Sequence, residues 1–250
     1  MIGPNSEPQR RGESAGRRFN SAAVVAGREI AALLRNRRNL FSILTFVVVW
    51  SVISLPRIME RIGTGGGFEN SLFFFATLLC IYIGFVLSSQ AFLVEKRDGR
   101  IATLLCTPLT VRSYWLGKVI GVTVPAFGIG ITVSALLSAV LGAGFGGTTF
   151  PGLPLILYLC CVLPIITAAC TGIFGFMQLL LGMRQNRIVN IVILMLIFGS
   201  LGAVIPLAGD SPLVRWPVLG VLFGGALVLL FIAGYITRFI RKEKIITSIG

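Results

Sequence analysis

Ser71 to Val94 reads SLFFFATLLCIYIGFVLSSQAFLV, 24 residues without a charge, and the six residues after it, Glu95 to Arg100, read EKRDGR. An α-helix rising about 1.5 Å per residue needs roughly 20 apolar residues to cross a hydrocarbon core of about 30 Å. The run meets that length, and the sudden return of charge marks where the chain leaves the lipid. Working outward, five further apolar runs lie at approximately 39–55, 116–142, 153–182, 188–209 and 217–237. The chain is 55% hydrophobic and 12% charged over 250 residues. That is more apolar surface than a soluble domain of this size can enclose, so lipid has to solvate much of it. The fold class expected is all-α integral membrane, with six transmembrane helices over 39–237.

Four segments organise the chain. Residues 1–19, rich in Gly, Pro, Ser and Arg, read as a disordered N-terminus. Residues 20–38 carry a helical pattern, with Ala26, Ile30, Leu33 and Leu34 on one face and Arg28 and Arg35 opposite. Such a helix suits the membrane surface, arginines toward headgroups and aliphatics toward acyl chains. An ordinary cytosolic helix packed on a partner has the same pattern. The six-span domain follows, and 238–250 form a basic tail. The first apolar run begins near Leu40, too late for a cleavable signal sequence, so the N-terminus is expected to be retained. The first run is the shortest and ends at Pro56. The fourth is long and carries Pro154 and Pro164, which predicts a tilt, a kink or a broken first segment.

The net charge of +13 is spread between apolar runs, not gathered on a folded patch, which argues against a nucleic-acid partner and for cytoplasmic loops beside anionic headgroups. Of 22 Lys and Arg residues, 19 fall in the N-terminal segment, the second and fourth connections and the tail. Only Arg57, Arg61 and Arg215 fall on the other side. Both termini are therefore expected to be cytoplasmic, with the protein multi-pass in a cytoplasmic (inner) membrane. Lys118, the third residue of the third run as drawn, is counted with the second connection, and the six runs hold no other charge.

An ion-coupled carrier or proton pump keeps titratable groups at membrane depth, and that machinery is missing from these runs. Gln90, Gln178 and Asn190 are the notable polar residues, read as interhelical hydrogen-bond partners or residues near a membrane surface. Cys80, Cys106, Cys160, Cys161 and Cys170 form no Cys-x-x-Cys pair, and the chain has no histidine, so neither a disulfide framework nor a metal site is expected. The cysteines read as small apolar fillers. The Gly117–Lys118 pair lacks the rest of a phosphate-binding loop, and no nucleophile elbow or catalytic pair is evident. The chain is expected to be no enzyme and to bind no cofactor itself. Gly117-xxx-Gly121 is a weak small-residue packing signal.

The connection from Glu95 to Arg112 reads EKRDGRIATLLCTPLTVR. Ile101, Leu104 and Leu105 fall at i, i+3 and i+4, the apolar stripe of a short helix that Gly99 opens and Pro108 stops. A partner's groove, the membrane surface or other loops of the chain could equally cover that stripe.

The spacing Glu95-(x)3-Gly99-(x)4-Leu104-Leu105-x-x-Pro108-Leu109, continuing into Leu116-Gly117-Lys118, resembles the signature loop of ABC type-2 permeases. These are the six-span membrane subunits of ABC exporters. The specific motif covers about 95–118; the architectural likeness covers most of the chain, including the basic helix from Arg28 to Arg38, which resembles the family's elbow helix. The resemblance implies that the loop, 95–115, is a cytoplasmic coupling helix docking on a separate ATPase subunit, which would hold ATP and Mg. Glu95, Gly99, Ile101, Leu104, Leu105, Pro108 and Leu109 would form that contact. It also implies a homodimer or pairing with a related permease. One departure is that only Gly209 to Trp216 remain for the short re-entrant helices the family often places before its last span. The length and loop are similar, too, to the haem-exporter membrane subunit of cytochrome c maturation. A non-transporting membrane anchor or assembly factor could use the same loop to hold a cytosolic partner.

Overall fold

The computed structural model describes residues 23–33, 35, 37–60, 67–94, 111–144, 151–181, 185, 188–189, 191–192, 195, 199 and 213–236. Residues 23–33 form an N-terminal helix. Five long helices follow: α1 (Arg37–Glu60), α2 (Gly67–Ser88, continued by a π-helical turn over Ser89–Val94) and α3 (Val111–Gly144), then α4 and α5. α4 comprises Leu153–Leu157, a π-helical turn over Tyr158–Val162, and Leu163–Leu180; α5 is Trp216–Ile236. No strand occurs among the described residues. All five helices are long and apolar enough to cross a membrane, and the protein is a multi-pass, all-helical membrane protein.

α2, the run that opened the sequence, is the central helix. Its membrane-length stretch is 72% buried by the rest of the chain, against 18% for α1 and 11% for α5. α1 and α5 instead expose large apolar side chains, among them Phe41, Leu44 and Val52, and Val221, Val228 and Phe231. Exposed apolar helix faces of this kind are solvated by lipid. At mid-length α2, α3 and α4 approach closely at small residues. A methyl group on Gly84 would stand 3.0 Å from the Thr171 hydroxyl and 3.9 Å from Ala126 Cβ. Small residues at such crossings let helix backbones approach where lipid supplies no hydrophobic drive between helices.

The helix boundaries depart from the apolar runs in three places. α1 does not stop at Pro56 but runs through it to Glu60, with Ile58 buried in the core. A proline inside a span removes one backbone donor without ending the helix when neighbouring groups cover the freed carbonyl. α3 begins five residues before the third apolar run, which places Lys118 two turns inside the helix. α4 is continuous from Leu153 to Leu180. It widens for one turn, where Leu163 N–H bonds the Tyr158 carbonyl five residues back, and resumes directly before Pro164, which has no N–H to give. In the fifth run, Ile188, Val189, Ile191, Val192, Met195 and Gly199 are described, and each is helical. Of the stretch expected to hold a shortened re-entrant feature, Leu213 to Trp216 are described: Val214 is buried and Arg215 N–H bonds the Leu213 carbonyl.

Two groups of buried residues divide the bundle along its length. One includes Leu33, Ile43, Leu87, Phe92, Trp115, Val119 and Leu179. The other includes Ile58, Phe68, Leu72, Leu141, Leu155, Tyr158 and Val214. Gln178 donates to Ser89 Oγ at 2.9 Å near the end of α2, whereas Leu213 N–H donates to Asn70 Oδ1 at 2.7 Å near its start. Gln178 and Leu213 therefore stand at opposite ends of α2, separated along it by about 28 Å at helical rise.

Candidate functional site

Among the described residues, a buried polar cluster lies where α2 and α3 adjoin the 95–110 connection. Lys118, two turns into α3, is wholly buried, and its ammonium stands 3.0 Å from a carboxylate oxygen of Glu29 on the N-terminal helix. It also donates to the Ala91 carbonyl in the π-helical turn of α2 over Ser89–Val94. The rings of Phe92 and Tyr114 face it at 5.3 and 5.2 Å from their centroids. Each partner answers a definite need. Through the Ala91 carbonyl the ammonium ties α3 to the backbone of the π-helical turn in α2. An isolated buried ammonium is costly, and the carboxylate and ring faces replace its lost hydration.

The N-terminal helix is held to the bundle by shape as well as charge. A methyl group on Gly121 would stand 2.8 Å from Glu29 Cβ and 3.1 Å from the Ala26 carbonyl oxygen, so the notch at Gly121 admits the N-terminal helix against α3. Ala26 and Leu33 are buried and Ile30 half-buried, while Arg28 and Arg35 are exposed. The division of faces read from the periodicity is present at these positions. The apolar face, however, packs at Ala26 and Leu33 on the chain's own bundle, because Glu29 in its midst needs Lys118. Leu34 lies outside the described residues.

Around this pair the other helices close in. A methyl group on Gly175 of α4 would stand 2.5 Å from the Phe92 ring, so that ring fills the space a side chain would otherwise take. Trp115 packs likewise on Gly172, with Ala233 of α5 beside it. Gln178 bridges to α2, its amide donating to Ser89 Oγ and its carbonyl accepting from Ser88 Oγ at 3.4 Å. Gln178 is thus an interhelical hydrogen-bond partner. Gln90 is half-buried in the same π-helical turn, and Asn190 lies outside the described residues.

The opposite end carries a smaller polar set. Glu69 accepts from Gly152 N–H at 2.7 Å, placing a carboxylate at the start of α4, where helix N–H groups lack partners. Beside it, Asn70 holds Leu213, and the Tyr158 hydroxyl lies 2.8 Å from Thr77 Oγ1. The Gly-rich stretch before Glu69, followed by an acid in a first turn, is a helix-start signal that could have identified this residue.

Glu95, Gly99, Ile101, Leu104, Leu105, Pro108 and Leu109 lie outside the described residues; what the structure describes is the ground on which their loop stands. The expectation that the apolar spans hold no charge is overturned. Lys118 lies two turns inside α3, and the third run drawn from 116 already includes it. Its partner was detectable in principle: Glu29 is one of only nine acidic residues and sits on the apolar face of an arginine-rich helix. No family model and no curated protein matches this chain.

Proposed function

We propose that this chain is the membrane-spanning permease subunit of an ATP-driven ABC transporter, an exporter of the type-2 class, driven by a separate ATPase subunit that docks on the 95–110 connection. The observation that best supports this reading is the Lys118 construction. The last turn before the connection and the first turns after it are joined through one buried ammonium, and Phe92 packs that joint against α4. A force applied to the connection enters the helices at a rigid joint and is not lost in a slack linker. The loop motif, Glu95 to Leu109, supports the same reading.

The reading includes six crossings. The described chain begins and ends at one level of the bundle: Ala26 lies against Gly121, and Ala233 lies beside Trp115 and Gly172. Five crossings would leave its ends on opposite sides. A sixth, using the run at 188–209, carries the chain from Gln178 back to Leu213 and restores the parity. Both ends are then cytoplasmic, the N-terminal helix lies at the membrane border as an elbow, and two copies pair through lipid-exposed faces with two ATPases.

The test replaces both Leu104 and Leu105 by Asp in the full-length chain and measures membrane abundance, capture of the ATPase and ATP-dependent transport in vesicles. Burying a leucine contributes about 1.5–3 kcal/mol, so losing two weakens docking by roughly a hundredfold or more. Abundance is expected to be unchanged and transport lost. Normal capture and transport by the double variant would remove the loop from the mechanism. Capture without transport in the unaltered protein would make the chain a membrane anchor instead.

A further inference from the structure

We infer that the outer face of the N-terminal helix is a binding site for the phosphate headgroup of an anionic phospholipid, held between Arg28 and Arg35. Ala26 and Leu33, seven residues apart, are buried and turn one side of this helix to the bundle. Arg28 and Arg35 repeat that spacing two residues on, which puts them about half a turn round the helix from the buried pair. Val24, Ala31 and Ala32 share the outer side, and all five residues are exposed. Among the described residues no carboxylate pairs with either arginine. Glu29, the one acidic residue between positions 20 and 38, lies toward the bundle, 3.0 Å from Lys118.

The place of this face in the molecule selects the ligand. Ala26 abuts Gly121, which belongs to the membrane-length stretch of α3, Ser113–Leu141. Two residues after Arg35, α1 begins, and it exposes Phe41 and Leu44 to lipid. The outer face therefore continues a lipid-covered surface and adds two positive charges at its border. The planar fork of a guanidinium pairs bidentately with phosphate oxygens. Ala31 and Ala32 put nothing bulkier than a methyl group between the two arginines, so a headgroup can lie across the helix and meet both. Val24 extends the face with apolar surface for an acyl chain. A zwitterionic lipid brings its own cation and gains little from the arginines, whereas an anionic one gains about fivefold in affinity from each. The inference rests on the membrane-border placement of the N-terminal helix and needs neither an ATPase nor transport, so it and the transport reading fail separately.

Native mass spectrometry of the full-length protein, titrated in detergent with phosphatidylglycerol or phosphatidylcholine, resolves individual bound lipids and tests the site. Arg28→Gln combined with Arg35→Gln is expected to weaken binding of the first phosphatidylglycerol roughly tenfold or more, and each single variant roughly fivefold. Phosphatidylcholine binding is expected to stay within twofold of the parent. Arg28→Lys with Arg35→Lys keeps the charge but gives up the fork, and should fall between the parent and the double Gln variant. Arg215→Gln removes one charge from an equally exposed arginine at the far end of the bundle and should change neither lipid. If the double Gln variant binds phosphatidylglycerol within twofold of the parent, the face is no lipid site. Equal losses of both lipids would overturn the selectivity for an anion. A loss with Arg215→Gln as large as that of Arg28→Gln or Arg35→Gln would reduce the effect to net charge and overturn the site.

Discussion

Gly175 and Phe92 show how narrowly one position can be constrained. With a methyl group at Gly175 only 2.5 Å from the ring, Gly175→Ala must displace Phe92, and overpacking of this kind costs about 1–3 kcal/mol. Thermal unfolding in detergent should show a lower midpoint for Gly175→Ala, partly recovered when Phe92→Leu is added. An unchanged midpoint would mean that the ring does not occupy that space. At this scale the sequence was read unevenly. Gln178 reads in the sequence as an interhelical partner or a residue near a membrane surface, and its bonds to Ser88 and Ser89 make it the first. Lys118 counts as a connection residue when loops are read by their charge, although the apolar run around it starts at 116, and Glu29 is masked by the arginines that dominate its helix. Pairing between residues so far apart in sequence leaves no periodic trace.

The elements themselves were largely legible. Hydrophobic runs long enough for a membrane located all five described helices, since lipid imposes length and apolarity together. Their ends were less so. Pro56 was taken as a stop and is internal, and the prolines of α4 frame a widened turn that composition does not signal. The start of α4 has its own dependence on α2, because Glu69 accepts from Gly152 N–H. Glu69→Ala leaves that donor without its acceptor, at a cost of about 1–3 kcal/mol when it is shielded from water. Glu69→Gln retains an acceptor and gives up only the charge. Unfolding midpoints in detergent should therefore fall in the order parent, Gln, Ala. An Ala variant as stable as the parent would show that the first turn of α4 does not rely on this contact.

For the whole molecule, the charge asymmetry and the proposed sixth crossing make one joint prediction. Reporter fusions at Gly65 and Gly147 should report the outside, and fusions at Gly99 and Gly250 the inside. An external signal at Gly99 would invert the orientation, and opposite locations for Gly99 and Gly250 would remove the sixth crossing. The Lys118 cluster borders the connection that the sequence singles out, but nothing in the sequence writes it as a construction. A motif marks residues that follow one another, whereas the joint beneath the loop is assembled from Glu29, Ala91 and Lys118, which meet only when three helices are in place.

The order of synthesis gives the buried ammonium a further meaning. Glu29 leaves the ribosome long before Lys118, so its carboxylate is already made when the third helix arrives with a charge that lipid resists. The nascent protein thus carries its own counterion ahead of the need. A chain shortened past residue 29 would bring α3 to the membrane with nothing there to neutralise it. Its failure would then lie in biogenesis, as a third helix inserted late or expelled, before any finished protein existed to malfunction.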